Sequence, residues 1–213
     1  MRKIIFVLNS VLLIWSLGAS VQAQTYTPVK DIEAVKQKIA TASKNMNSMQ
    51  SNFSQEKYMS VMSQKIQSKG LFYFKKNNQV RWEYTEPYKY IIVLAGGKIQ
   101  IKDEKKVSEY DMNANKAFKQ INDMMIQLVQ GNVLNSTSYI IKYSESSTNY
   151  LLDMTPTDKK LKSMFKNIQL YFDKNTYEVS SFKMIENNGD YTLIKFSNKK
   201  QNVAIDASKF VLK

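Results

Sequence analysis

Ser54-Gln55-Glu56-Lys57 has the Ser-x-x-Lys spacing in which a lysine can act as base for a serine nucleophile. The same spacing recurs at Ser163/Lys166, Ser180/Lys183 and Ser197/Lys200, and neither Ser-Asp-Asn nor Lys-Thr-Gly accompanies it. Four such matches in a lysine-rich chain are what chance supplies. Glu83 and Glu86 flank an aromatic run and could pair for glycoside chemistry only if their separation in space allowed it. A solvated strand face and a turn account for them more simply. The chain has no histidine and no cysteine, so histidine-based triads, cysteine nucleophiles and the usual zinc and iron ligand sets are unavailable. Gly96-Gly97 reads as a hairpin turn, not a phosphate loop. The residues point to a protein that binds rather than catalyses: no enzyme, no catalytic residue, no metal and no cofactor are expected.

The N-terminus is a targeting segment by composition. Met1-Arg2-Lys3 is a short basic start, Ile4 to Leu17 is mostly apolar, and Val21-Gln22-Ala23 is a small-residue cleavage site. The apolar run is short for a bilayer core of roughly 30 Å. An uncleaved anchor is the alternative, and Asn9 and Ser10 break the run against it. The expected organisation is a signal peptide over residues 1–23, removed on export, and one domain over residues 24–213. Gln24 stands where an acylated cysteine would stand in a bacterial lipoprotein, so an exported and soluble protein is expected. Burial alone must hold the fold together, because no disulfide is available. Loss of Arg2 and Lys3 takes the net charge from +13 to +11 and leaves Arg81 as the one arginine. That lysine-rich balance reads first as compositional bias and only modestly as a surface for an anionic partner; a nucleic-acid partner is not expected.

Ile32, Val35, Ile39, Ala42, Met46 and Met49 recur at intervals of three and four, which predicts an amphipathic helix after Pro28, with Asp31 and Glu33 near its start. Phe118, Ile121, Met125, Leu128 and Val129 predict another, ended at Gly131. Most of the rest is β-prone and broken by turn signals at Asn77-Asn78, Gly96-Gly97, Asp173 to Asn175 and Asn187 to Gly189. Val80, Trp82 and Tyr84 alternate with Arg81, Glu83 and Thr85, giving one apolar and one polar face, whereas Ile91 to Leu94 is apolar on both. Met164, Ile168, Leu170 and Phe172 alternate likewise, with Lys166 out of pattern, and Tyr191 to Phe196 is largely apolar. The fold class is α+β, with about ten antiparallel strands. A sheet that wide must curl or close, and its hollow side must be filled by side chains, helices or a ligand.

The central run FYFKKNNQVRWEYTEPYKYIIVLAGGK, Phe72 to Lys98, resembles the outer-membrane lipoprotein carrier (LolA) family. The family pattern is a strand, Lys-Arg-Pro, a turn, Arg-Trp-x-Tyr-x-x-Pro and a buried strand ending in Asp-Gly-Lys. Lys75, Arg81, Trp82, Tyr84, Pro87 and Gly96-Gly97-Lys98 match it. Met49-x-x-x-Phe53-x-Gln55 and Ile205 to Phe210 agree as well. The chain departs from the pattern at Lys76-Asn77, where the family has Arg-Pro, and lysine cannot fork as a guanidinium does.

The resemblance implies an incompletely closed antiparallel β-barrel with helices covering an apolar cavity. In that cavity the acyl chains of lipoproteins would be carried from an inner-membrane lipoprotein-releasing transporter to an outer-membrane acceptor, by a monomer. Phe53, Phe72, Phe74, Trp82, Tyr84, Ile92 and Leu94 are the expected lining. Met124, Met125 and Leu128 would belong to a repacking lid, suited by flexible thioethers. By the same resemblance Lys76 would latch the lid through carbonyls of Met124 to Val129, with Arg81 as the alternative donor. An exported binding module of the same fold for a free lipid, a glycolipid or an envelope partner is the other reading.

Overall fold

The alternating runs pair into one antiparallel sheet in the computed structural model of the protein, which describes residues 24–62, 64–104, 106–114, 119, 123–124, 126–127 and 132–213. The expected signal peptide, together with Phe118, Ile121, Met125, Leu128, Val129 and Gly131 of the expected second helix, lies outside these residues. Among the described residues the sheet has twelve strands: β1 (Thr27–Pro28), β2 (Ser48–Tyr58), β3 (Ile66–Lys75), β4 (Gln79–Glu86), β5 (Tyr90–Ala95), β6 (Lys98–Lys102), β7 (Val107–Asp111), β8 (Tyr139–Glu145), β9 (Asn149–Pro156), β10 (Phe165–Asp173), β11 (Val179–Glu186) and β12 (Tyr191–Gln201). About ten were expected; a two-residue strand such as β1 is too short to leave a periodic signal. Among the described residues the sheet is joined by helices α1 (Ile32–Lys44) and α2 (Lys159–Met164), by helical residues around Met124, and by 3₁₀ turns at Asn132–Asn135 and Ala207–Phe210.

The strand order is β1-β8-β9-β10-β11-β12-β2-β3-β4-β5-β6-β7, with β1 and β7 at the edges. Two meanders, β2 to β7 and β8 to β12, are therefore joined by one antiparallel pairing, β12 on β2, in which Phe196 faces Phe53. The turn signals do what their residue types allow. Asn77 and Asn78 have φ of 80° and 62°, and Gly96 and Gly97 have 57° and 76° in the two-residue hairpin between Ala95 and Lys98. The misfit of Lys166 is a β-bulge: Phe165 pairs with Glu186 but Asn167 with Ile185, so one residue of β10 is left over between them. Met164, expected on that strand, instead ends α2.

Asp31 caps α1 by accepting a hydrogen bond from the Ala34 amide at 3.0 Å, and Val35 and Ile39 are buried against the sheet. The helix stops at Lys44, short of the expected stripe: Met46 is buried just beyond it and Met49 lies on β2. Spacings of three residues fit a helix, but Met49, Ser51 and Phe53 are buried in strand alternation. The side of the sheet under α1 carries the main core, which also takes in Met124, Ile126, Val133 and Leu134 from the chain between β7 and β8.

At the rim where β2, β3 and β12 end, Glu56 gathers three donors. Tyr191 Oη lies 2.6 Å away, Lys65 Nζ 3.0 Å and Gln67 Nε2 2.9 Å. Tyr191 stacks on Tyr58 at 5.3 Å and carries Lys183 over its ring at 4.0 Å. The Tyr191 hydrogen bond, then that of Lys65, pulls the Glu56 carboxyl from 4.5 down to about 2. A depressed folded-state pKa stabilises the fold above the unfolded value, and that contribution is lost as pH falls through the folded one. Urea midpoints of the native chain should thus fall more steeply than those of Glu56→Gln between pH 4.5 and about 2; parallel curves would mean that the clamp adds nothing.

Candidate functional site

Cross-strand rows build the covered face. One row runs Phe196, Phe53, Gly70, Tyr84 and Tyr90 across β12, β2, β3, β4 and β5. The next runs Ser51, Phe72, Trp82, Ile92 and Ile101 across β2 to β6. Gly70 is the hinge of the packing: without a side chain there, the Phe53 ring meets both Tyr84 and Trp82 edge-on, each at 4.9 Å. A Cβ on Gly70 would stand 2.0 Å from the Glu83 carbonyl oxygen and 2.8 Å from the Phe53 ring. Phe72 lies 4.5 Å from Trp82 and 5.2 Å from Phe196, so β12 closes the aromatic group from its other side.

Tyr84 keeps a polar end inside this face. Its hydroxyl donates to Gln55 Oε1 at 3.0 Å and its ring stacks on Tyr90 at 4.1 Å. Burial pushes its phenol far above the ordinary range, followed by the neighbouring Tyr90, so it stays neutral. Side chains fill the space under α1: Phe72, Phe74, Phe172, Phe182 and Ile39 are fully buried. A cavity of about 20 Å³ remains beside Met46, Met49, Phe196 and Gln201, room for about one water. The Ile101 end of the second row opens onto a groove of about 560 Å³ lined by Tyr88, Lys89, Tyr90, Ile101, Asp103 and Glu104.

Of the expected lining, Phe53, Phe72, Phe74, Trp82, Tyr84, Leu94 and Met124 lie buried in one cluster, and Ile92 packs against it partly buried. Met125 and Leu128 lie outside the described residues. Ile39, Phe182 and Phe196 join the cluster without having been expected as lining. Phe196 could have been found from the alternation of β12, but its partner Phe53 lies more than a hundred residues away, and single-sequence patterns carry no such pairing.

Lys76 is exposed in the turn between β3 and β4. Its amide donates to the Asn47 carbonyl at 2.7 Å, and its ammonium has no hydrogen bond or ion pair among the described residues. Arg81 corrects the alternative latch. It sits on the opposite face of β4, where Nε and Nη2 donate to Glu83 Oε2 at 3.0 and 2.8 Å and Nη1 donates to the Lys209 carbonyl at 3.0 Å. The polar face expected there is in fact a second small core of Tyr73, Val93 and Phe210, side by side with Arg81, and Glu83 lies on that outer face with it. Asp206 caps the 3₁₀ turn that delivers Phe210, accepting from the Ser208 amide at 2.7 Å.

An unclosed antiparallel sheet thus carries an aromatic interior covered by α1. The model of the family described as outer membrane lipoprotein carrier protein LolA matches residues 44–213, and the chain belongs to that family. By class it is a carrier that binds lipoprotein or lipid. An outer-membrane lipoprotein carrier protein of Methylococcus capsulatus is 24% identical over 163 residues, 76% of this chain and 75% of that one. An uncharacterized conserved protein from Thermus thermophilus shares the fold with a TM-score of 0.50 at 8% identity, over 84% of this chain and 93% of that one. MucB does so with a TM-score of 0.50 at 16% identity, over 84% of this chain and 62% of MucB.

Two substitutions probe the two faces separately. Gly70→Ala should lower the unfolding free energy by roughly 1–3 kcal/mol through overpacking against backbone that cannot yield; an unchanged urea midpoint would mean the aromatic row has slack. Arg81→Ala should cost about 1.5–3 kcal/mol, the range for hydrogen bonds to charged groups. It should also speed amide exchange at Ser208 to Val211 ahead of the main core, and uniform exchange would show that Arg81 does not hold the C-terminal turn.

Proposed function

We propose that the chain is exported, loses residues 1–23, and works as a single unit in the periplasm as a soluble monomeric carrier. It takes acylated lipoproteins from a transporter in the inner membrane and hands them to an acceptor at the outer membrane. The observation that carries this reading is the aromatic interior of an unclosed sheet, built by Phe53, Phe72, Trp82, Tyr84 and Phe196 and covered by α1, in a chain of the lipoprotein carrier family.

An acyl chain gains roughly 0.8 kcal/mol per buried CH₂, too much to leave exposed in a crossing of water. The filled interior supports a carrier that works by exchange. Cargo enters where α1 and the helical residues around Met124 lift away, and acyl methylenes replace their contacts with the sheet. Loading and release then differ by the small balance between two burials, which is what a reversible carrier requires. The groove at Tyr88 and Ile101 continues the inner aromatic rows to the surface and is the proposed entrance.

Trp82 is the reporter, since the other tryptophan, Trp15, falls in the leader. Saturating triacylated lipopeptide should shift its emission, while the same peptide without acyl chains should not. Unchanged emission alongside measured peptide binding would move the site away from the aromatic rows. A free fatty acid that binds as well as the lipopeptide would favour a free-lipid carrier.

A further inference from the structure

The connections of the two meanders sort themselves onto two rims. One rim takes the β2–β3 turn at Met59–Met62, the β4–β5 loop at Pro87–Lys89, the β11–β12 turn and α2, which joins β9 to β10. Three of these are held together: the Ser60 amide donates to Asp190 at 2.7 Å, and Asn187 Nδ2 donates to the carbonyl of Lys162 at 2.9 Å.

Large apolar side chains stand out from this rim. Val61 is 90% exposed, Tyr88 78% and Met62 41%. The turns of the opposite rim, Lys76–Asn78 and Gly96–Gly97, carry none. Of the other exposed large apolar groups, Tyr110, Ile140 and Val211 stand on β7, on β8 and past the last 3₁₀ turn, outside these rim connections.

Charge accompanies them. Lys159, Lys160 and Lys162 on α2 are exposed and have no ion pair among the described residues. The carboxylates nearest the apolar turn are engaged: Glu186 with Lys57, Glu56 with Lys65 and Tyr191, and Asp190 with the Ser60 amide. Asp158 caps α2 through the amides of Lys160 and Leu161. Asp103 and Glu104, in the connection after β6, line the same groove as Tyr88 and Lys89, so the acidic end of the rim lies beside Tyr88 and the basic end at α2.

We propose that this rim docks on an anionic lipid bilayer, with Val61, Met62 and Tyr88 entering the headgroup boundary and the α2 lysines lying against lipid phosphates. Two separate apolar projections with uncompensated cations to one side fit a deformable anionic surface, which lets each side chain find its own depth. The inference goes beyond the carrier reading and does not depend on it.

The test is flotation of the protein, purified as its own cells accumulate it, with phosphatidylcholine vesicles containing or lacking phosphatidylglycerol. Binding should require phosphatidylglycerol and disappear at about 1 M salt, where the screening length is about 3 Å. Replacing Lys159, Lys160 and Lys162 together by glutamine should weaken it about a hundredfold, roughly fivefold for each lysine. Val61→Asp should weaken it roughly tenfold or more. Lys44→Gln, at the other rim, should leave it within about twofold. No flotation of the native protein overturns the proposal, as does equal weakening by Lys44→Gln and the triple variant. A dimer in sedimentation velocity that Val61→Asp dissociates, without vesicle binding, would give the rim to a second copy and overturn it as well. The Trp82 response to lipopeptide, read on the same variants, keeps a failure of docking distinct from a failure of cargo binding.

Discussion

The pairing of β2 with β12 is the constraint on which the rest depends. It is the strand pairing that joins the two meanders, and it fixes how the aromatic residues of one half meet those of the other. Side chains alternate with a period of two, so a slip of one residue would send Phe53 to the outer face and bring Asn52 or Ser54 in. Phe53 itself helps resist that slip. Its ring fills the notch left by Gly70 and touches aromatic residues of β4, so the correct register is also the one that leaves the least empty space.

From that seam follow two faces with different jobs. The inner face is large, aromatic and covered by a helix that buries only a few side chains on it, Val35 and Ile39 foremost. The outer face is small and fixed, with Tyr73, Val93 and Phe210 tied by the guanidinium of Arg81 to backbone at Lys209. A cover that rests on apolar contacts can be exchanged for other apolar matter at little net cost, because dispersion and burial are not particular about their partner. A cover held by a forked guanidinium cannot, because its removal strands buried polar groups. The division suits a protein that must yield on one side and stay rigid on the other.

Much of this was legible in the sequence, where local rules decide. Asn77-Asn78 and Gly96-Gly97 announced their turns because few other residues accept positive φ. The alternation through Trp82 and Tyr84 placed both on one side, and the misfit of Lys166 was the trace of a bulge. What failed were judgements that needed partners from elsewhere. Arg81 read as a solvated residue or a latch, because nothing near it in sequence shows that residues 205–212 fold across it and make a second core. Met49 read as helical because one residue cannot reveal which of two periods it serves. The filling of the interior was not legible either, since Phe182 and Phe196 reach it from the far half of the chain.

The outer core carries an implication for the order in which the molecule assembles. Phe210 completes a surface begun by Tyr73, and β12 completes a seam begun by β2, so two of the earliest segments in the chain wait for two of the latest. Contacts so distant in sequence form slowly, because the intervening loop must be closed before either end gains anything. Until residues 191–210 emerge, the first meander is a ribbon with an unpaired edge at β2 and an aromatic side that Phe196 has yet to close. A chain built this way stays pliable and threadable for most of its synthesis, and it locks only once its last strand and final turn have arrived.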